Sequence, residues 1–163
     1  MIRALTANDL RTYRSLWLHG LSADPSAFLL TAAEAVAITD SALVAKLSAG
    51  DVIGAFDGDT LVGFVAIKRG GPERLRHMAD SGPLYVHPSA RRRGLAQQLL
   101  EAAVETALAL DILQLELCVD NVNVGAQALY EACGFRQIGL RPRSVIVDGV
   151  ARDDVLMLRQ LDA

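Results

Sequence analysis

Three consecutive arginines, Arg91, Arg92 and Arg93, stand directly before Gly94 and a stretch with helical spacing, Ala96, Leu100, Ala103, Ala107 and Leu110, widened by Leu95 and Leu99. Cations at a helix N-terminus oppose the positive end of the macrodipole, at a few tenths of a kcal/mol per charge. A glycine in the first helical turn costs about 1 kcal/mol relative to alanine, yet it opens the free backbone N–H groups to close approach. A bound anion would reverse the first cost and use the second. The fragment therefore reads either as a solvated arginine run with a tolerated glycine or as a phosphate-binding turn. Neither G-x-x-x-x-G-K-[ST] nor G-x-G-x-x-G occurs in the chain, which turns the second reading away from ATP, GTP and NAD. Metal chemistry has no comparable support. Cys118 and Cys133 form no close pair and His19, His77 and His87 lie far apart, so the ligand spacing of a structural zinc site is missing. The two isolated thiols read as small buried hydrophobes.

The elements that must position this turn follow from periodicity and turn residues. Residues 2–5 read as a strand, and Asn8 or Asp9 precedes a helix with apolar Leu10, Tyr13, Trp17 and Leu21. Residues 23–38 are alanine-rich, contain Pro25 and lack a clean period, so a loop or irregular helix is expected before a helix over 41–49. Strands over 52–56 and 61–69 flank Asp57-Gly58-Asp59, a tight hairpin signal. Residues 77–86 read as a strand interrupted by Gly82-Pro83, which suggests a bulge. After the helix over 94–110, the alternation of Leu113, Leu115, Leu117 and Val119 predicts a strand. Residues 124–133 predict a helix stopped at Gly134. Strands over 135–147 and 150–161 surround Asp148-Gly149, a second hairpin signal. Strand hairpins at both ends around a strand–helix–strand crossover predict an α/β (α+β) fold with a mixed sheet, parallel only across the 94–110 helix. Ligands of such sheets bind at the carboxyl ends of parallel strands, here residues 86–94 and 119–123.

Composition bounds the function. The 163 residues suit one domain, 1–163, and 52% hydrophobic with 21% charged residues is a composition that buries a core. Glu34, Glu105, Asp111 and Glu116 interrupt the most apolar stretches short of the roughly 20 residues that a spanning helix needs, so no membrane association is expected. Met1-Ile2-Arg3-Ala4-Leu5-Thr6 soon meets Asp9, Arg11 and Arg14 and offers no signal-peptide apolar region, so a cytoplasmic protein is expected. The net charge of −3 argues against general nucleic-acid binding. An apolar-rich chain with few surface charges is compatible with a homodimer.

Two segments carry a family resemblance. Arg91-x-x-Gly94-x-Ala96, after Leu84-Tyr85-Val86-His87-Pro88, resembles the [QR]-x-x-G-x-[GA] signature of the GNAT superfamily of acetyl-CoA-dependent N-acetyltransferases. Asn123-Val-Gly-Ala126-Gln-Ala-Leu129-Tyr130-Glu131-Ala-Cys-Gly134-Phe135 is similar to that family's N-x-x-A-x-x-L-Y-E-x-x-G-F pattern, in the family's order and at its usual separation. The one departure is Ala96 where glycine is commoner, and alanine is still small.

The resemblance implies a six- to seven-stranded, mostly antiparallel sheet flanked by about four helices, with one parallel, splayed strand pair at the cofactor site. It implies that acetyl-CoA is the cosubstrate, its pyrophosphate held by the N–H groups of Arg91, Arg92, Arg93, Gly94, Leu95 and Ala96, with arginine side chains helping near the adenine 3′-phosphate. Pantetheine would lie along Leu84, Tyr85 and Val86, and Asn123 would either cap its helix or bind the pantetheine arm. Tyr130 is implied as the acid that protonates the departing thiolate, against its alternative role as a packing residue on the face of Ala126, Leu129 and Cys133. Asp80, four residues before Leu84 where many members carry glutamate, is implied as the base, acting through an ordered water. Glu73 and His77 are alternatives, and each of the three also reads as a solvated residue near a turn. Neither cysteine is placed as a nucleophile, so direct attack by the amine in a ternary complex is expected.

The acceptor is expected to be a primary amine, and a peptide or protein amine, a free amino acid and another small amine such as an amine antibiotic all stay open. The resemblance implies that residues 21–40 and 141–150 frame it, and Arg141, Arg143 and Asp148 either select an acidic or amphoteric acceptor or belong to a solvated hairpin. Two other readings stand beside this one: a catalytically weak acyl-CoA-binding sensor or interaction domain, and a nucleotide-phosphate binder using the arginine cluster.

Overall fold

Residues 1–163 are described by a computed structural model. In chain order the elements are β1 (Ile2–Ala4), α1 (Leu10–Ala23), α2 (Ala32–Ala37), α3 (Asp40–Ser48), β2 (Val52–Asp57), β3 (Thr60–Lys68), β4 (Met78–Val86), α4 (Leu95–Ala109), β5 (Gln114–Asp120), α5 (Val124–Ala132), β6 (Arg136–Val147) and β7 (Val150–Gln160). The seven strands are ordered β1-β2-β3-β4-β5-β7-β6. The β4–β5 pair is parallel, while β1–β2, β2–β3, β5–β7 and β6–β7 are antiparallel, as expected for a sheet whose crossover is α4. The chain forms two compact units, each from two segments: Met1–Ile67 with Gly82–Ala103, and Lys68–Ser81 with Val104–Ala163.

In the first unit α1 buries Tyr13, Leu16, Trp17, Gly20 and Leu21, a one-sided stripe at helical spacing. Tyr13 stacks on Trp17 one turn later and meets Phe64 of β3 edge-on at 5.2 Å between centroids. A Cβ on Gly20 would lie 2.7 Å from the Phe28 ring, so the close approach of α1 to that ring requires glycine. The segment expected to be irregular does contain a helix, α2. Its start is fixed by a capping box in which the Thr31 side chain accepts from the Glu34 N–H and Glu34 reaches back to the Thr31 N–H. That makes five α-helices where about four were expected. Arg3 and Asp9 form a two-pronged ion pair at 2.8 and 2.9 Å, which holds the Asp9 carboxyl down to about 2.

In the second unit β5 alternates inward Leu115, Leu117 and Val119 with Gln114, Glu116, Cys118 and Asp120 on the other face. Asp120 pairs with Arg152 of β7 at 2.8 Å, and both side chains are largely buried. Helix α5 ends at Gly134 in the left-handed region, φ 86°, with the Phe135 N–H returning to the Tyr130 carbonyl. Arg159 donates to the Cys133 carbonyl at 2.7 Å and satisfies one of the remaining C-terminal acceptors. Strand β6 shifts register twice against β7, between Gln137 and Gly139 and between Arg141 and Val145.

Candidate active-site residues

In the first unit the arginine turn departs from its sequence reading. Helix α4 begins at Leu95, so Gly94 precedes the helix rather than lying in its first turn. Gly94 has φ 74° and Arg92 φ 62°, both left-handed. Alternation into that region turns successive N–H groups toward one concavity, a backbone nest suited to an anion. A Cβ on Gly94 would have only the Gln98 amide nearby, at 3.8 Å, so the space before α4 is open. Two of the three arginine side chains are engaged elsewhere. Arg91 Nε donates to the Val86 carbonyl at 2.9 Å, and its guanidinium lies 5.7 Å from the Tyr85 ring centre. Arg93 pairs with Asp57 at 2.7 Å, both ends more than half exposed. The expected conflict with the helix dipole is thereby relieved for two of the three charges, and the anion-binding potential lies in the backbone.

The strand that leads into this turn is anchored from behind. The Tyr85 side chain is buried among Phe28 and Phe64, and its hydroxyl meets His19 Nδ1 at 2.9 Å. His19 and His87 rings lie 4.6 Å apart, and the Ser89 N–H donates to His87 Nδ1. Tyr85 therefore offers a ligand only its backbone. Leu84 is half-buried and Val86 buried, and the Val86 carbonyl already accepts from Arg91. Gly82 lies at φ 138° and the Gly82–Pro83 peptide is cis, the local irregularity that the sequence signalled.

In the second unit Asp80 of β4 stands opposite Glu116 of β5 in the parallel register. Both line a cavity of about 110 Å³ with Cys118 of β5 and Arg141 of β6. Burial and then the Glu116 carboxylate raise the Asp80 pKa, against the pull of Lys68 and Arg141. Such a carboxylate is a better proton acceptor than one in water. Glu116 accepts from Gln114 Nε2 at 2.7 Å. Cys118 is exposed and lies 3.9 Å from Arg141 Nη1, whereas Cys133 is buried, so the expectation of two buried thiols holds for only one. Alternation explains the difference: Cys118 shares the polar face with Glu116 and Asp120. Glu73, in a short 3₁₀ turn, and His77, whose carbonyl receives the Leu113 and Gln114 N–H groups, do not line this cavity.

Tyr130 sits on α5, edge-on to Phe135 at 5.9 Å, and burial pushes its phenol up to about 12. It is protonated across the neutral range and therefore able to donate. Asn123 Oδ1 accepts from the Ala126 N–H at 3.1 Å, the N-cap role, which leaves its NH₂ as a donor. At the β6 bulge Arg143 has φ 51° and its N–H is taken by Asp153, and Asp148 sits in the β6–β7 turn. Only Arg141 of the three hairpin charges named from sequence lines the cavity. Glu116 was the functional candidate that sequence reasoning passed over. Its alternation with Leu115 and Leu117 puts it on the polar face, but its partnership with Asp80 depends on a register that no local pattern encodes.

Residues 9–135 match the acetyltransferase (GNAT) family. The chain is 35% identical over 97 residues to the N-alpha-acetyltransferase RimI of Mycobacterium tuberculosis, covering 60% of this chain and 59% of that protein. It is 36% identical over 108 residues to an uncharacterized protein of Mycobacterium leprae, covering 66% of this chain and 28% of that one. The chain thus spans well under two thirds of the length of these curated relatives. Among solved structures, a GNAT-family acetyltransferase from Streptococcus pneumoniae superposes with a TM-score of 0.87 at 25% identity, covering 98% of both chains. No helix is long and apolar enough to cross a membrane.

Proposed function

We propose that this chain, which belongs to the acetyltransferase (GNAT) family, moves the acetyl group of acetyl-CoA to a primary amine by direct attack. The observation that carries the reading is the turn at Arg92 and Gly94: two left-handed residues ahead of a 15-residue helix, with the flanking Arg91 and Arg93 side chains engaged elsewhere and open space where a Gly94 Cβ would stand. That arrangement fits a pyrophosphate held by backbone N–H groups of Arg92, Arg93, Gly94, Leu95 and Ala96 at the positive end of α4, the Arg91 N–H being turned to the Pro88 carbonyl at 3.4 Å. Leu84, Tyr85 and Val86 present backbone, not side chains, to the pantetheine arm, and the Asn123 NH₂ is a further donor.

Acetyl-CoA supplies an activated thioester carbonyl. An alkylammonium cannot attack it, so a proton must leave first, and Asp80, with its raised pKa beside Glu116, takes that proton directly or through water. The amine nitrogen then bonds to the carbonyl carbon, the C–S bond breaks, and the Tyr130 hydroxyl gives its proton to the thiolate. The second proton shed by the nitrogen restores the phenol through solvent. No acetyl-cysteine is needed. Cys133 is buried, and burial raises the pKa of Cys118, so neither is an activated thiolate.

Thiol release from acetyl-CoA, followed with a panel of amines, tests the reading. Saturable, amine-dependent release is the expected result. Tight acetyl-CoA binding without release for any amine would instead assign an acyl-CoA-binding domain.

A further inference from the structure

The cavity of the second unit holds opposite charges that do not join. Arg141 forms no ion pair; the partner of its guanidinium is Cys118 Sγ at 3.9 Å. Asp80 and Glu116 face one another across the β4–β5 register, and Glu116 is held by Gln114 rather than by a cation. A guanidinium beside two carboxylates gains a strong, two-pronged contact by folding onto either one. A cavity that keeps them apart presents a positive and a negative wall to its occupant. The apolar side chains of Ile138 and of Leu156, which pairs with Cys118 on the same face of the sheet, complete the lining.

From this separation we infer that the acceptor is zwitterionic, a free amino acid whose ammonium sits between Asp80 and Glu116 and whose carboxylate sits on Arg141. The inference rests on the acetyl-transfer reading for the fate of the amine, though not for its binding. A volume of about 110 Å³ suits the charged head group of such a molecule, given that one water claims about 30 Å³ in the liquid. A simple alkylamine would leave the Arg141 guanidinium facing the cavity unmatched. A polyamine would bring a second cation toward it, a repulsion that works against that class.

Cys118 reports occupancy without turnover, because it lines the cavity and is exposed while Cys133 is buried. The experiment measures how far each of the twenty amino acids, beside its α-carboxamide, slows alkylation of Cys118 by iodoacetamide. At least one amino acid should protect at a concentration about tenfold or more below its amide, the low end for losing a hydrogen bond to a charged group. Arg141→Gln should erase that ratio and Arg141→Lys should keep much of it; ratios are compared within each variant, since the thiol's own reactivity changes with its neighbour. Equal protection by acid and amide, or protection by neither, overturns the inference. Thiol release from acetyl-CoA is measured with the same panel. Acid-selective protection without release would reject acetyl transfer and leave the zwitterion site standing. Release as fast with amides as with acids would reject the zwitterion and leave acetyl transfer standing.

Discussion

The arginine turn of the first unit and the cavity of the second are built from different materials. On the proposed reading the turn is backbone: Arg92 and Gly94 act through φ, and the Arg91 and Arg93 side chains are occupied with Val86 and Asp57. On the same reading the cavity is side chain: Asp80, Glu116, Cys118 and Arg141 act through charge and spacing. A backbone site tolerates a change of side chain and fails on a change of dihedral angle. A side-chain site does the reverse. Cosubstrate binding and proton transfer are therefore open to separate disruption.

The largest effect is expected on the chemistry alone. Tyr130→Phe keeps the ring against Phe135 and removes the proton, so the single-turnover rate should fall roughly 10²- to 10⁴-fold. The acetyl-CoA dissociation constant and the melting temperature should stay nearly unchanged. A variant as fast as wild type in that assay would make Tyr130 a packing residue.

Next comes the turn. Acetyl-CoA at 100 times its dissociation constant should stabilise the wild type by about 2.7 kcal/mol. Gly94→Glu should abolish this gain, since it puts a carboxylate in the anion's place and a side chain at φ 74°. Arg92→Pro should do the same, because proline cannot adopt φ 62°. Arg92→Gly, which discards the whole guanidinium and keeps the angle, should bind acetyl-CoA nearly as well as wild type. If Arg92→Gly binds as poorly as Arg92→Pro in calorimetry, the contrast between backbone and side chain collapses.

A smaller effect sharpens the second half of the comparison. Asp80 must be deprotonated to act, and both burial and the Glu116 charge raise its pKa. Activity should therefore fall on the acid side along a limb above the ordinary carboxylate range. Glu116→Gln removes the like charge and should move that limb to lower pH, measured as the pH profile of kcat/KM. A limb that does not move would detach Glu116 from the base.

The smallest effect lies outside both sites. Asp9, held at about 2 by Arg3, lies below the ordinary value near 3.9, so its contribution is complete above that value and fades as pH falls toward 2. Arg3 is partly exposed, which limits the pair to at most about 1 kcal/mol and makes it sensitive to salt. Arg3→Ala should lower the melting temperature slightly at pH 7 and leave both sites intact.

Most of the fold was legible in the sequence because its signals are local. Period-two alternation marked β5, Asp-Gly turns marked both hairpins, and Gly134 marked the end of α5. Helix α2 escaped because six residues, AAEAVA, are too short and too uniformly small to show a period; Thr31-x-x-Glu34 was the readable sign of its start. The site was legible in part for the same reason. The turn before α4 is a contiguous motif whose backbone N–H groups the sequence already singled out, although the left-handed angle at Arg92 could not be read from an arginine. The cavity joins β4, β5, β7 and β6 through register, so the pairing of Glu116 with Asp80 is written in neither segment, whereas the exposure of Cys118 follows from the alternation of β5.

The central claim is that an acyl-CoA held by the Arg92–Gly94 turn is consumed by an amine. The most direct measurement is single-turnover thiol release at one acetyl-CoA concentration that saturates the wild type, with and without amino-acid acceptors, in wild type and in Gly94→Glu. A fast phase that appears only with acceptor and is lost in Gly94→Glu is the expected result. Release at the same rate with and without acceptor, or an undiminished fast phase in Gly94→Glu, would contradict it.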